Sequence, residues 1–161
     1  MKKLWIFFTI ILLVMSLIGC SNSSDFDYYE VLPLNFLDGT WEGPFPGEMY
    51  IFAANTLTND GSFVATIHEI GSWSSDNTSG IVIIEYTDKN PGGYWEWATD
   101  PSDLNFTAFY FTNKTASTVE FASAVYGGVT PTKASVAEVK SHFTVHNVTT
   151  YFAMTSACVK Q

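Results

Sequence analysis

From about residue 40 onward, the chain is a series of short β-forming runs, each followed by a strong turn signal. The turns at 43–47, 59–61, 76–80 and 90–93 are rich in Gly, Pro, Asn and Asp, which favour tight turns and interrupt strands. The runs between them are rich in Val, Ile, Thr and aromatic residues, which favour sheets. This spacing leaves little room for long helices and predicts a mainly β domain with antiparallel neighbouring strands.

Hydrophobic periodicity refines this interpretation. Residues 81–87 are apolar on both faces at their start, which is typical of a central strand. We expect a short strand or an aromatic loop at 94–97 and a last strand at about 148–154. One helix is indicated by a capping box and an apolar face, formed by Ser135, Glu138, Val136, Val139 and Phe143. The pattern predicts an antiparallel up-and-down β-barrel of about eight strands with one short helix before the last strand, and the alternative is a β-sandwich.

The N-terminus has the features of a bacterial lipoprotein signal. Lys2 and Lys3 precede an apolar run over 4–18, which is shorter than the ~20 residues of a membrane-spanning helix but fits the core of a secretory signal. The run ends in Leu17-Ile18-Gly19-Cys20, which resembles the bacterial lipobox at every position. The resemblance implies cleavage before Cys20 and acylation of that residue, and two or three acyl chains anchor a domain stably. The expected organisation is a signal peptide over 1–19, a lipidated tether over 20–36 and a barrel domain over 37–161.

The charge of the chain argues against one class of partner. The formal charge is −9, and loss of Lys2 and Lys3 with the signal takes the mature chain to −11. The sequence contains no Arg. Because Lys and Arg neutralise phosphates, we expect no nucleic-acid binding, and acyl chains rather than basic residues must hold the domain on a membrane. The expected location is the bacterial cell envelope, with the outer membrane or the cell surface favoured.

A Gly-x-Trp motif, Gly39-Thr40-Trp41, lies at the first strand predicted for the barrel. Followed by a run of hairpins, a helix and a final strand, it resembles the lipocalin-like (calycin) pattern of small bacterial lipoproteins. The resemblance implies that Trp41 packs across the closed end of the barrel and that an Arg near the last strand stacks on it. Because the chain has no Arg, Lys140 is the candidate for that position.

Residues that suggest catalysis or metal binding are few. His142 and His146 are four residues apart, and either is a conceivable partner for Cys158, but the chain has no nucleophile elbow, phosphate-binding loop or dinucleotide fingerprint. Two His at this spacing are weak support for a zinc site, which needs further ligands. We therefore expect no enzymatic activity, no metal and no cofactor.

The expected function is binding of a small apolar or amphipathic ligand inside the barrel, since an eight-stranded barrel can hold one small ligand. Strand alternation assigns six side chains to that interior: Trp41, Phe63, Ile67, Tyr86, Phe106 and Tyr110. A second aromatic group is expected on the surface, where flat rings beside carboxylates suit sugars, apolar ligands or protein partners. Its members are Trp73, Tyr94, Trp95 and Trp97. The alternative is that these rings fill the small β core, since each of them buries a large area.

The alternative function is a surface-interaction or structural lipoprotein whose barrel is filled by its own side chains. Its partner would be a protein of the envelope or of a host surface. The size of the inward residues separates the two functions, because large side chains fill an eight-stranded barrel and small ones leave a cavity. Four alanines on otherwise apolar faces favour a cavity: Ala65, Ala108, Ala122 and Ala124.

Overall fold

The computed structural model of the chain describes residues 28–59, 63–88 and 105–161. Within these ranges the strands are β1 (Glu30–Leu32), β2 (Gly39–Glu42), β3 (Met49–Ala53), β4 (Thr56–Asn59), β5 (Phe63–Ser72), β6 (Gly80–Asp88), β7 (Phe106–Thr112), β8 (Thr118–Ser123) and β9 (Ser156–Lys160). The helices are α1 (Val136–His142) and α2 (Val148–Tyr151), separated by a 3-10 turn at Val145–Asn147. The strand or aromatic loop expected at 94–97 lies outside the described residues.

Eight of these strands form a closed antiparallel barrel. Hydrogen bonding follows the order β5-β4-β3-β2-β9-β8-β7-β6, and pairing between β5 and β6 closes the ring. Successive strands of the ring are neighbours, and β9 returns after the helices to lie between β8 and β2. The predicted mainly β architecture, an antiparallel barrel of eight strands with a short helix before the last strand, is confirmed.

β1 is an additional strand outside the ring and pairs with the last three residues of β5. It belongs to the sheet, although it falls within the segment 20–36 that the sequence assigns to the tether. The residues that follow it, 33–38, cover one end of the barrel. Leu37 is fully buried there, and the centre of the Phe36 ring lies 6.0 Å from that of Phe111.

Two apolar cores stabilise the domain, one inside the barrel and one outside it. The interior core takes side chains from every strand of the ring: Trp41, Tyr50, Phe52, Leu57, Ala65, Ile67, Ile70, Val82, Ile84, Phe109, Phe111, Val119, Phe121 and Cys158. The outer core lies between the helices and the outer face of β6, β7 and β8, and contains Ile81, Ile83, Ala108, Ala122, Ala124, Val139, Phe143 and Phe152. Because successive residues of a strand point to opposite faces, the part of a strand that is covered on both sides is apolar, as β6 is over residues 81–84.

An irregularity in β5 changes which of its residues face the interior. The register between β5 and β6 shifts between Ile67 and Glu69, so that β5 accommodates one extra residue, His68. Ile67 and Ile70 therefore both belong to the interior core, although they are three residues apart. Bulges of this kind redirect side chains, and here the shift turns Glu69 toward the outer face.

The helix start predicted from the sequence is confirmed. The Ser135 hydroxyl accepts a hydrogen bond from the Glu138 N–H at 3.3 Å, and the Glu138 carboxylate accepts one from the Ala134 N–H at 3.1 Å. The first bond satisfies a backbone donor that the first turn of a helix leaves unpaired, and the second fixes the residue that precedes the N-cap. α1 consequently begins at a fixed position over the outer face of the barrel.

The last strand predicted at 148–154 is wrong, because this segment begins with α2 and the last strand is β9. The Asn147 side chain causes the turn before α2: it accepts a hydrogen bond from the Thr144 N–H at 3.0 Å and donates one to the His142 carbonyl at 2.7 Å. At the end of α2, Phe152 is buried in the outer core. Tertiary packing thus overrides the β propensity of this segment.

Candidate functional site

The six side chains expected to line one interior site divide between the two faces of the barrel. Four of them belong to the interior core or pack against it: Trp41, Phe63, Ile67 and Tyr86. The other two, Phe106 and Tyr110, pack against the outer core. The structure therefore does not bring all six together, and their role in ligand binding stays a prediction.

The predicted inward orientation of Phe106 and Tyr110 is wrong. The inward side chains of β7 are Phe109 and Phe111, whereas the Tyr110 ring lies outside the barrel, 5.5 Å from the ring of Phe152. Both faces of β7 are apolar because the helices cover the outer one. Alternation alone consequently cannot distinguish the inside from the outside on this strand.

Large aromatic side chains occupy the centre of the barrel. The Phe121 ring lies 5.2 Å from Phe52, 5.3 Å from Tyr50 and 5.6 Å from Phe109, measured between ring centres. Trp41 meets it edge-on at 6.2 Å. All five side chains are buried. In the part of the barrel that the structure describes, the centre is therefore filled by the protein itself.

The alanines expected to leave an interior cavity lie mostly outside the barrel. Ala65 faces the interior, but Ala108, Ala122 and Ala124 belong to the outer core. They share that core with Val139 of α1. Small side chains at these positions let the helices approach the sheet closely, and they make no room for an interior ligand.

A cation from the last strand lies over Trp41, and it is Lys160. Its Nζ is 5.2 Å from the centre of the Trp41 ring, and the Trp41 indole N–H donates a hydrogen bond to the Leu37 carbonyl at 2.9 Å. This is the arrangement that the lipocalin resemblance implies, with Lys in place of Arg. Lys140, the candidate from the sequence, lies on α1 and bonds Glu69 on the outer face instead.

The outer face carries an open groove with a volume of about 300 Å³. It lies between the end of β5 and the end of α1, and it is lined by Tyr29, Trp73, Lys140, Phe143, Thr144 and Val145. This volume is at the lower end of the range for small-molecule sites. Trp73 belongs to the surface aromatic group expected from the sequence, whereas Tyr94, Trp95, Trp97 and Cys20, the expected acylation site, lie outside the described residues.

Two of the residues that line this groove, Tyr29 and Lys140, are joined by a polar network through Glu69. The Lys140 ammonium donates a hydrogen bond to Oε1 of Glu69 at 2.7 Å and lies 4.6 Å from the centre of the Tyr29 ring. The Tyr29 hydroxyl donates to the same Glu69 oxygen. Burial, and then the hydrogen bond to Glu69, raise the pKa of Tyr29 well above its ordinary value. Tyr29 therefore stays protonated and holds the carboxylate in place together with Lys140.

Features of β1 and β5 position this network. The bulge of β5 turns Glu69 outward, and pairing of β1 with β5 brings Tyr29 alongside it. Gly71 leaves the space that Tyr29 occupies, because a Cβ at this position would lie 2.2 Å from the Tyr29 ring carbon that bears the hydroxyl. Tyr29, from the segment 20–36 assigned to the tether, thereby becomes part of the groove.

The loop between β5 and β6 fixes Trp73. The backbone N–H of Trp73 donates a hydrogen bond to the Ser79 carbonyl at 2.9 Å. The centre of the Trp73 ring lies 5.9 Å from that of the Tyr110 ring. Within the loop, the Ser74 hydroxyl accepts hydrogen bonds from the N–H groups of Thr78 and Ser79, each at 3.0 Å. These contacts order the Trp73 side chain before any ligand arrives.

The residues that suggested catalysis do not come together. Cys158 belongs to the interior core, whereas His142 lies on α1 outside the barrel, with its ring 4.9 Å from that of Tyr151. On the surface, His68 Nε2 lies 2.8 Å from a carboxylate oxygen of Glu85. Among the residues with described positions, no group of three His, Cys, Asp or Glu side chains could hold a metal ion.

Comparison of the chain with family models, curated proteins and solved structures gives no match. Within the described ranges, no helix has the length and apolar character needed to cross a membrane. The proposed function is therefore built on the lipobox, on the distribution of aromatic side chains and on the groove.

Proposed function

We propose that this chain is a non-enzymatic lipoprotein of the bacterial cell envelope, and that its filled β-barrel acts as a binding module through its outer surface. The distribution of aromatic side chains is the main support for a binding surface outside the barrel. They pack tightly at the centre of the barrel, whereas Tyr29 and Trp73 line an open groove outside it. A site on the outer surface can bind without any opening of the barrel.

The lipobox supports the anchor and the location. Tyr28, the first described residue, follows Cys20 by eight positions, and an extended chain of that length spans at most about 30 Å. Acylation of Cys20 would therefore hold the barrel close to the bilayer. The groove, which Tyr29 lines, would lie on the part of the domain where the tether enters.

A ligand inside the barrel is the second candidate function, as the lipocalin resemblance implies. Phe63 and Tyr86 favour it, because they pack against the interior core but are only partly buried. The large side chains that fill the centre of the barrel favour the outer groove as the binding site instead. A ligand that reached the centre would have to displace rings such as Phe109 and Phe121, which pack against each other at 5.6 Å.

Labelling with palmitate in a bacterium that expresses the full chain tests the anchor. We expect label on the wild-type protein, no label on Cys20→Ser, and undiminished label on Cys158→Ser, which removes the other cysteine. A wild-type protein without label, or label that persists in Cys20→Ser, would show that this chain is not anchored through Cys20.

Native mass spectrometry of a secreted, detergent-free Cys20→Ser protein tests where binding occurs. A co-purifying molecule that is lost from Trp73→Ala but kept by Phe63→Ala supports the groove, and the opposite result supports the interior. Phe45→Ala is the control for loss of an aromatic residue, because Phe45 lies in a loop and is 68% exposed. If no molecule co-purifies, the same variants are compared by cross-linking to proteins of envelope fractions.

A further inference from the structure

The groove joins aromatic surface to one paired charge, and from this combination we infer that it binds a neutral saccharide. The inference rests on the proposed function, since it takes the groove as the binding surface, and it adds the chemical class of the ligand.

The apolar part of the groove suits the flat face of a sugar ring. Trp73 and Tyr29 are both partly exposed and line the groove together with the buried Phe143. Tyr110 packs against the Trp73 ring, so that this ring is already ordered in the free protein. A pyranose presents C–H groups on one face and hydroxyls at its rim. Stacking of the C–H face on an ordered aromatic ring costs little side-chain entropy.

Lys140, which lines the groove, offers hydrogen-bond donors for the hydroxyls at the rim. Glu69 does not line the groove and holds the Lys140 ammonium in place through Oε1. The Lys140 ammonium has three donors and uses one on Glu69. The side chain of Lys140 is 37% exposed and that of Glu69 is 18% exposed. A sugar hydroxyl can accept a hydrogen bond from another of the three donors of Lys140.

The charge of the groove favours a neutral ligand over an anion. Glu69 already compensates the charge of Lys140, because its Oε1 lies 2.7 Å from the Lys140 Nζ. The mature chain expected from the sequence carries a formal charge of −11, and the field of such a protein disfavours the approach of anions.

A wholly apolar ligand suits the groove less well than a sugar. An acyl chain laid over Lys140 would remove water from its charge and return no hydrogen bond, which is unfavourable. A saccharide covers the rings with its C–H face and replaces the displaced water with hydroxyls. The volume of about 300 Å³ and the open side suit one ring of a longer glycan whose ends extend over the surface.

A glycan array probed with the full chain in detergent micelles tests this ligand class. The array carries neutral and acidic oligosaccharides, and the strongest neutral glycan is then titrated by calorimetry. We expect binding to neutral glycans and no preference for acidic ones. Trp73→Ala should weaken the affinity at least tenfold, because it removes the stacking surface.

A second variant keeps the test informative if Trp73→Ala folds poorly. Glu69→Gln combined with Lys140→Met removes both charges together and leaves neither of them buried alone; we expect at least fivefold weaker binding. Phe45→Ala and Lys114→Met are the matched controls. They remove an exposed aromatic residue and a lysine whose ammonium lies over Phe36, neither of which lines the groove, and should bind as the wild type does.

Three results would overturn the saccharide: binding to acidic glycans alone, equal affinity of wild type and Trp73→Ala, or a folded protein that binds no glycan. The native mass spectra separate this failure from failure of the proposed function. If another molecule co-purifies and is lost from Trp73→Ala, the groove is the binding surface and only the ligand class is wrong. If Trp73→Ala alters no binding in either experiment, both proposals fail.

Discussion

The ammonium of Lys160 lies 5.2 Å from the centre of the Trp41 ring, and the same nitrogen donates a hydrogen bond to the Asp38 carbonyl at 2.7 Å. The last strand of the ring is thereby connected to the first. Gly39 makes the approach possible, since a Cβ at this position would lie 2.5 Å from Cε of Lys160, and its φ of +136° disfavours other residues. The Gly-x-Trp motif and Lys160 therefore act as one unit at the end of the barrel that residues 33–38 cover.

Replacement of Lys160 tests the strength of this connection. We expect Lys160→Met to lower the free energy of unfolding by about 1 kcal/mol, because it removes a cation–π contact and a hydrogen bond at an exposed site. Lys160→Arg should retain most of the stability. Urea unfolding followed by tryptophan fluorescence measures both. Lys133→Met, measured above the ordinary pKa of His142 so that its effect on that residue is absent, is the control for loss of a positive charge. Equal effects of Lys133→Met and Lys160→Met would contradict the expectation.

The contact between Gly71 and Tyr29 yields a second prediction. Gly71→Ala should destabilise the protein by about 1–3 kcal/mol, because the new methyl group displaces the Tyr29 ring. In a Tyr29→Ala background the same change should cost far less, since the obstructing ring is gone. A double-mutant cycle in urea measures this coupling.

Gly80→Ala is the matched comparison for that cycle. A Cβ at Gly80 would lie 1.9 Å from the backbone carbonyl oxygen of Gly71, and backbone inside a barrel cannot move aside as a side chain can. We expect Gly80→Ala to destabilise equally with and without Tyr29. Additive effects of Gly71→Ala and Tyr29→Ala would show that the two residues do not interact as the structure indicates.

The architecture could be predicted from the sequence because its signals are local. Turn residues mark the ends of most strands, and the side chains of Ser135 and Glu138 cap the first turn of α1. The errors arise where the determining contact is distant. The segment 148–154 has strand-forming residues, but Asn147 and the burial of Phe152 turn its beginning into α2.

The groove could be predicted only in part, for the same reason. Trp73 is identifiable as a surface aromatic residue because it sits in a polar turn. Glu69, Lys140 and Tyr29 come from three separate segments, and no local pattern links them. A bulge in β5 directs Glu69 outward, whereas strict alternation along the strand would place Ile67 and Glu69 on the same face.

A third prediction concerns acid stability and His142. Burial, and then the positive charge of Lys133, lower the pKa of His142 below its ordinary 6.5. Between that lowered pKa and 6.5 the unfolded chain binds more protons than the folded one, so stability falls as the pH falls through this window. Between about pH 7.5 and pH 5, His142→Gln should therefore lose less unfolding free energy than the wild type.

Lys133→Met provides the companion measurement for His142. Removing this positive charge should raise the pKa of His142 toward its ordinary value, so the pH dependence of unfolding should become shallower than in the wild type. Chemical unfolding at several pH values measures all three proteins. A wild-type slope that matches that of His142→Gln would mean that this histidine is not linked to folding.

A fourth prediction concerns the thiol of Cys158. Burial, and then the negative charge of Glu48, raise the pKa of Cys158 to about 12, and its Sγ donates a hydrogen bond to the Ser156 carbonyl at 3.3 Å. Since the thiolate is the reactive form, a Cys20→Ser protein should not react with a disulfide reagent at neutral pH until denaturant is added. Ala153→Cys, at an exposed position, is the reactive control, and equal rates at the two thiols would contradict the interior position of Cys158.

A final prediction distinguishes a filled barrel from one that is built to hold a ligand. Phe121→Ala removes the ring that contacts Phe52, Tyr50 and Phe109, and should cost about 3–5 kcal/mol of stability. The cavity left behind is apolar, and such cavities stay dry and bind benzene. We expect benzene to raise the melting temperature of Phe121→Ala, or of the milder Phe121→Leu, and to leave the wild type unchanged. If benzene stabilises the wild type equally, the barrel already contains accessible space, and the interior ligand becomes the stronger of the two candidate functions.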